Sequence, residues 1–276
     1  MKHKNIFIVL AVFLLVLACA TNPFTGKSTL ALVPNSQIFP SSFAEYNQFL
    51  NENKVVKGTK DAEMITRVGE RIKAATERWM NANGHQGYLA DYKWEYNLVD
   101  DKTVNAWCMP GGKIVFYTGI LPIAQNETAI AAIMGHEVAH ALANHGQQRM
   151  SAGMLQQLGA VAGNVAIKDE QTRNMFNQAY GVGSQVGVML PFSRNHESEA
   201  DKIGLYLMAI AGYNPDEAAR LWERMKANSG GQSTPEFLST HPSNDSRIAE
   251  LTKLAPAAKE EAKKFGVTSF RPLGKF

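Results

Sequence analysis

The sequence predicts an α+β chain, mostly helical, with a small antiparallel sheet beside one central helix. Two patterns carry that prediction. Apolar residues recur at helical spacing before residue 82 and again from residue 126 onward. Between them, residues 92–118 alternate in the two-residue period of strands and are cut by turn residues.

The chain of 276 residues opens with a basic start at Lys2 and Lys4 and an uncharged apolar run, Ile6–Leu17. About a dozen residues are too few for a membrane span, which needs roughly 20. A basic start, a short apolar core and a small residue before the cut describe a secretory signal over residues 1–18. Val16-Leu17-Ala18-Cys19 resembles the lipobox of bacterial lipoproteins, with Leu17 bulkier than usual at its position. That resemblance implies a lipid on Cys19, and an uncleaved N-terminal anchor is the other reading. Residues 19–40 contain Pro23, Gly26, Pro34 and Pro40 and are expected to form a lipidated tether. Gly26-Lys27-Ser28 is not a phosphate loop, because that motif needs a glycine where Thr21 stands.

A single domain is expected over residues 41–276. Phe43, Tyr46, Phe49 and Leu50, then Met64, Ile65, Val68 and Ile72, predict two helices with a break near Gly58. Trp94, Tyr96 and Leu98 alternate as a strand, Val104–Met109 reads as a second, and Lys113–Thr118 as a third beyond Pro110-Gly111-Gly112. Asn126 and Glu127 start a helix that should run through Ile133, His136 and His140 to about Gly146. Residues 151–192 are poor in charge and fit either a cover over a cleft or a pair of buried helices. Ser193 is placed to cap a helix ending at Gly212. Asn214-Pro215-Asp216 opens another that ends at Ser229-Gly230-Gly231, and helical patterns return at 244–254 and 256–265.

Removing Lys2 and Lys4 from the 28 basic residues leaves 26 against 25 acidic ones. With no single-sign field and no basic run carrying aromatics, nucleic acid is not an expected partner. The whole chain is 45% hydrophobic, enough for one substantial core. With Cys19 committed to lipid, Cys108 stands alone and no intrachain disulfide is expected.

The sharpest signal is His136-Glu137-Val138-Ala139-His140. Four residues turn a helix by about 400°, so the two imidazoles lie roughly 40° apart on one face, one turn above each other. Both nitrogens then reach one zinc ion, and the adjacent Glu137 is placed as general base. The alternative is a surface helix with scattered polar residues. A catalytic zinc takes three protein ligands and an open position. His145 lies about 900° from His136, on the opposite face of a continued helix. Glu197 is the better third ligand. Asp201 is one turn beyond it and can accept the second ring N–H of a ligand histidine. A solvated acidic patch at a helix start is the other reading of Glu197 and Asp201.

HExxH followed by Ser193-Arg194-Asn195-His196-Glu197-Ser198-Glu199-Ala200-Asp201 resembles the HtpX-type family of zinc peptidases, with its CAAX prenyl proteases and periplasmic BepA- and LoiP-like lipoproteins. Three further stretches are similar in the same order: Thr21–Lys27, then Val104-Asn105-Ala106 with Pro110-Gly111-Gly112, then Thr240-His241-Pro242 with Arg247. The resemblance implies a zincin-like metallopeptidase fold, one zinc on His136, His140 and Glu197, and Glu137 as catalytic base. Asn105 and Ala106 are expected to meet substrate. Missing are the membrane spans of HtpX and the prenyl proteases, and the helical repeats that follow the peptidase domain of BepA.

His241 has three readings: a loop histidine ordered by Pro242, a donor to the tetrahedral oxyanion, or a latch on the open zinc position. Substrate is expected to add as a strand along the Lys113–Thr118 edge. Together these imply an endopeptidase that removes unfolded or misfolded envelope proteins. A chaperone or assembly factor with a latched, seldom active zinc site is the alternative, and a structural-metal module a third, which the base Glu137 argues against. The expected location is the periplasmic face of the envelope, with the outer membrane favoured because Ala20 is not aspartate.

Overall fold

Apolar periodicity before residue 82 becomes two helices in a computed structural model that describes residues 19–185, 189–228, 236–242 and 245–272. The signal expected over 1–18 and the helix end expected at Ser229-Gly230-Gly231 lie outside the described residues. The chain divides into two compact units, Met1–Ile38 with Ala143–His196, and Phe39–Leu142 with Glu197–Phe276.

In the first unit, β1 (Cys19–Thr21) pairs antiparallel with β2 (Ser28–Leu30), Cys19 opposite Leu30. Asn22 closes the turn by accepting the Phe24 N–H at 2.9 Å, and Gly26 takes the left-handed φ of +66° that a side chain would resist. The expected tether is thus a short hairpin.

The second unit begins in α1 (Asn35–Glu52), followed by β3 (Val55–Val56) and α2 (Lys60–Ala82). The Thr59 side chain caps α2 by accepting from the Ala62 N–H. Next come β4 (Glu95–Val99), β5 (Ala106–Met109) and β6 (Lys113–Tyr117). The sheet order is β3-β4-β6-β5. The mostly helical α+β class holds, but the sheet is mixed: β4 and β6 run parallel, Glu95 opposite Lys113, while the outer pairs are antiparallel. The order also corrects the expected substrate edge. β6 is hydrogen-bonded on both sides and has no free ladder to offer, so the outer strand next to it is β5.

Helix α2 lays Met64, Ile65, Val68 and Ile72 into the core and packs on β4 and on the central helix. Gly69 lets it ride directly on Tyr96, whose ring carbon would lie 2.2 Å from any Cβ there. After the single turn α3 (Leu121–Ala124), Gln125 adopts a left-handed φ of +62° and the central helix α4 (Glu127–Leu142) begins. Its start is as the sequence predicts: Asn126 Oδ1 accepts from the Ala129 N–H at 2.8 Å. Almost every residue of α4 is buried, as befits a helix apolar on all sides. It ends four residues sooner than expected, because Asn144 takes a left-handed φ of +56° and His145 opens a new helix.

That helix, α5 (His145–Ala166), and α6 (Glu170–Ser184) form a hairpin in the first unit. The Leu32 N–H donates to Ser151 Oγ at 3.0 Å, and Gln147 Nε2 to the Val33 carbonyl at 2.7 Å. Neither helix is a buried core element: α6 has no buried residue, and α5 buries only its first two turns. Helix α7 (Leu190–Ile210) starts before Ser193, which lies inside it rather than capping it. Helix α8 (Asp216–Asn228), α9 (Glu236–Thr240) and α10 (Asp245–Lys264) complete the second unit. The last merges the two predicted helical patterns across Pro256. Among the described residues no helix is long and apolar enough to cross a membrane.

Candidate metal centre

Two helices bring the site together, and two glycines let them. A Cβ on Gly135 of α4 would lie 2.7 Å from the Gly204 carbonyl oxygen of α7, and one on Gly204 would lie 2.7 Å from the His136 backbone nitrogen. The helices therefore cross backbone on backbone. His136 follows the first glycine and Asp201 precedes the second by one turn.

His136, Glu137 and His140 project from α4, Glu197 and Asp201 from α7, and His241 from just beyond α9. One ligand atom from each of His136, His140, Glu197 and His241 lies within 4.8 Å of the others. His140 Nε2 is 3.1 Å from His136 Nε2 and 3.3 Å from Glu197 Oε1. His136 Nε2 is 3.4 Å from Glu197 Oε2. His241 Nδ1 is 2.9 Å from that same oxygen and 3.2 Å from His136 Nε2.

Behind the cluster, Asp201 Oδ1 sits 2.9 Å from His136 Nδ1, placed to accept its N–H and turn Nε2 toward the cluster. Arg247 of α10 holds Asp201 in a two-toothed pair at 2.6 and 2.7 Å, reaches Glu197 at 3.2 Å, and lies flat over Trp222, 3.5 Å from the ring centroid. The sequence pointed to Arg247 only as part of a signature. Its role, and that of Trp222, had no local signal.

This donor set fits zinc. Imidazole nitrogens and a carboxylate converge where neighbouring lone pairs repel unless a cation or shared protons intervene, and these are zinc's preferred ligands. Burial alone would lower the His136 pKa, but the bonds to Asp201 and Glu197 outweigh it and raise it to about 9. Burial takes His140 well below the usual histidine value. Burial opposes charge on Glu197 too, yet the bonds from His136, His140 and His241 hold its pKa far below the carboxylate range. At Asp201 burial is likewise overcome, chiefly by Arg247.

Glu137 stands apart. Its Oε1 is buried with no hydrogen-bond partner, and burial raises its pKa. The facing groups are His241 Nε2 at 3.5 Å and the cluster itself. An orphaned carboxylate oxygen beside a ligand cluster is where a reacting water belongs.

The remaining predicted residues lie elsewhere. Asn105 donates to Glu236 at 3.1 Å, and its Oδ1 accepts the Ala106 N–H at 2.9 Å. Ala106 is the buried first residue of the outer strand β5, which packs against α4. Cys19 is exposed on β1. His145 is outside the cluster and stacks on His196 with ring centroids 4.0 Å apart.

Residues 67–255 match the sequence model of Peptidase family M48. The chain belongs to peptidase family M48. Every residue of the M48 site, from His136 to Arg247, falls inside that stretch. Zinc is the metal of this family, in agreement with the donor set. A fission yeast relative, the mitochondrial metalloendopeptidase OMA1, is 36% identical over 171 residues, 62% of this chain and 49% of its own. The human metalloendopeptidase OMA1 is 29% identical over 261 residues, 86% of this chain and 46% of its own. The beta-barrel assembly-enhancing protease of Escherichia coli is 25% identical over 193 residues, 66% of this chain and 39% of its own. The chain thus spans half or less of these M48 relatives.

The resemblance to the HtpX-type peptidases holds at the level of the family, but the expected kinship within it shifts: the OMA1 proteins match at higher identity than the E. coli protease. The expected location is overturned. Relatives in yeasts, a plant and animals are mitochondrial, which points away from a bacterial periplasm or outer membrane.

Proposed function

We propose that this chain is a zinc endopeptidase that cleaves unfolded or misfolded polypeptides, with Glu137 as its general base. The observation that carries the reading is the buried Glu137 Oε1, without a hydrogen bond, beside the convergent His136, His140 and Glu197. Those three residues would hold the zinc, which supplies a polarised carbonyl and a water of lowered pKa.

Within that frame each side chain has one task. Glu137 takes the proton of the attacking water and returns it to the leaving amine. Its burial favours that exchange, because a carboxylate with a raised pKa holds the proton well enough to deliver it. Asp201 fixes the His136 ring through Nδ1, and Arg247 fixes Asp201. Substrate lies as an added strand on β5, reading backbone and tolerating varied side chains. Asn105 and Ala106 stand at the entrance to that strand.

His241 favours a second state of the same enzyme. Its Nδ1 contacts Glu197 and His136, so the cluster holds four donors, whereas a catalytic zinc keeps one position open. This supports a latch, and with it the alternative of an assembly factor that seldom cuts. A lipid on Cys19 is proposed to tether the chain to a membrane, and mass spectrometry of the N-terminal peptide tests it.

The deciding experiment measures zinc content and casein cleavage for the protein and its Glu137→Gln variant. About one zinc per chain in both, with cleavage lost in the variant, supports the peptidase. Zinc without cleavage in either supports the latched assembly factor, and protein without zinc refutes both.

A further inference from the structure

Helix α5 carries a stripe that its own fold leaves uncovered. Met150, Met154, Leu158, Val161 and Val165 are between 44% and 79% exposed. At about 100° per residue they fall within an arc of about 80°, and at 1.5 Å per residue they run about 22 Å along one face. Helix α6 adds Met175 and Val182, both more than half exposed. Residues 151–167 contain no charged side chain, and neither do 174–192; Lys168, Asp169, Glu170 and Arg173 gather at the turn between the helices. A continuous apolar face of this extent marks a contact surface.

What it contacts follows from the chain that enters this unit. The uncharged run Ile6–Leu17 ends two residues before β1. This inference rests on the proposed lipid at Cys19, which is exposed and would hold this end of the chain at a bilayer. Strand β1 is paired to β2, and β2 packs on α5. The stripe therefore belongs to the same compact unit as the membrane-proximal end of the chain. Among the described residues no helix is long and apolar enough to span, and a helix with one apolar face can instead lie in the interface. A lipid at Cys19 fixes one point of this unit, and an apolar helical face lying in the interface would add a second element.

We propose that the α5–α6 hairpin is that element, resting its stripe on the surface of a lipid bilayer. The attraction is apolar, since the charges flanking the stripe nearly balance. Binding to phosphatidylcholine vesicles accordingly needs no anionic lipid and resists salt.

The test uses the full chain carrying Cys19→Ser, so its outcome does not depend on whether Cys19 is lipidated. An environment-sensitive dye is attached at Leu158→Cys, at Val165→Cys, or at Glu77→Cys on exposed α2 as control. With phosphatidylcholine vesicles, quenching by brominated lipid at 158 and 165 but not at 77 is the expected result. Adding Leu158→Gln and Val165→Gln together to unlabelled chain should weaken vesicle partition at least about tenfold. Unquenched dye at 158 overturns the proposal. A blue shift at 158 that grows with protein concentration in the absence of vesicles also overturns it, because a second copy of the chain would then cover the stripe.

Discussion

Glu137 and His241 face each other at 3.5 Å across the cluster, and substituting them should have opposite effects. Glu137→Gln keeps the shape of the side chain and removes the base, so zinc content should persist while casein cleavage falls by at least about a hundredfold. His241→Ala removes a donor that contacts both Glu197 and His136, so cleavage should rise several-fold with zinc still bound. A fall instead would make His241 an oxyanion donor, and no change would leave it a loop histidine. Away from the site, Glu127 offers a pH test. Burial opposes its charge, but Arg67, Tyr213 and Arg271 hold its pKa below 4.5. A depressed folded value contributes stability above the unfolded pKa that is lost as pH falls through the folded one. Thermal melts of Glu127→Gln should therefore lie below those of the parent at neutral pH and converge with them in acid.

Elements decide whether those side chains can meet at all. Gly204→Ala puts a methyl group 2.7 Å from the α4 backbone, which neither helix can yield by a side-chain rotation. The cost should be about 1–3 kcal/mol together with weaker zinc binding, read by melting and by competition with a chelator. Serine at Gly153, where a Cβ meets nothing within 4 Å, should have little effect. On the sheet, proline at Cys108 in the outer strand should cripple turnover while zinc stays bound, and unchanged turnover would remove β5 from substrate binding. These elements also show what the sequence could say. Helical spacing put His136 with His140 on one face and Glu197 with Asp201 on another, while Glu137 was legible only as part of the HExxH pattern. The strand order was not, because periodicity marks β6 as a strand without saying which neighbours it has. The parallel pairing of β4 with β6 encloses the strand that the sequence suggested as an edge. The end of α4 was equally hidden: Asn144 in a left-handed conformation separates His145 from the metal helix, and nothing in Ala143-Asn144-His145 requires it.

At the scale of the whole chain, the segment Ala143–His196 is flanked in sequence by two candidate ligands, His140 shortly before it and Glu197 directly after. A metal holding both would act on the unfolded chain as a cross-link, closing a loop of roughly 57 residues, for which chain-entropy arguments give on the order of 4 kcal/mol. Melting with and without a chelator should show a large drop in Tm, and an unchanged Tm would mean that the tie is absent. The same logarithm has a second face. Because closing a loop costs only about 0.6 kcal/mol more for each doubling of its length, residues added at the Lys168–Asp169 turn would lengthen the excursion almost without penalty. Helices can be stretched or trimmed there while the ligands at either end of the loop keep their places.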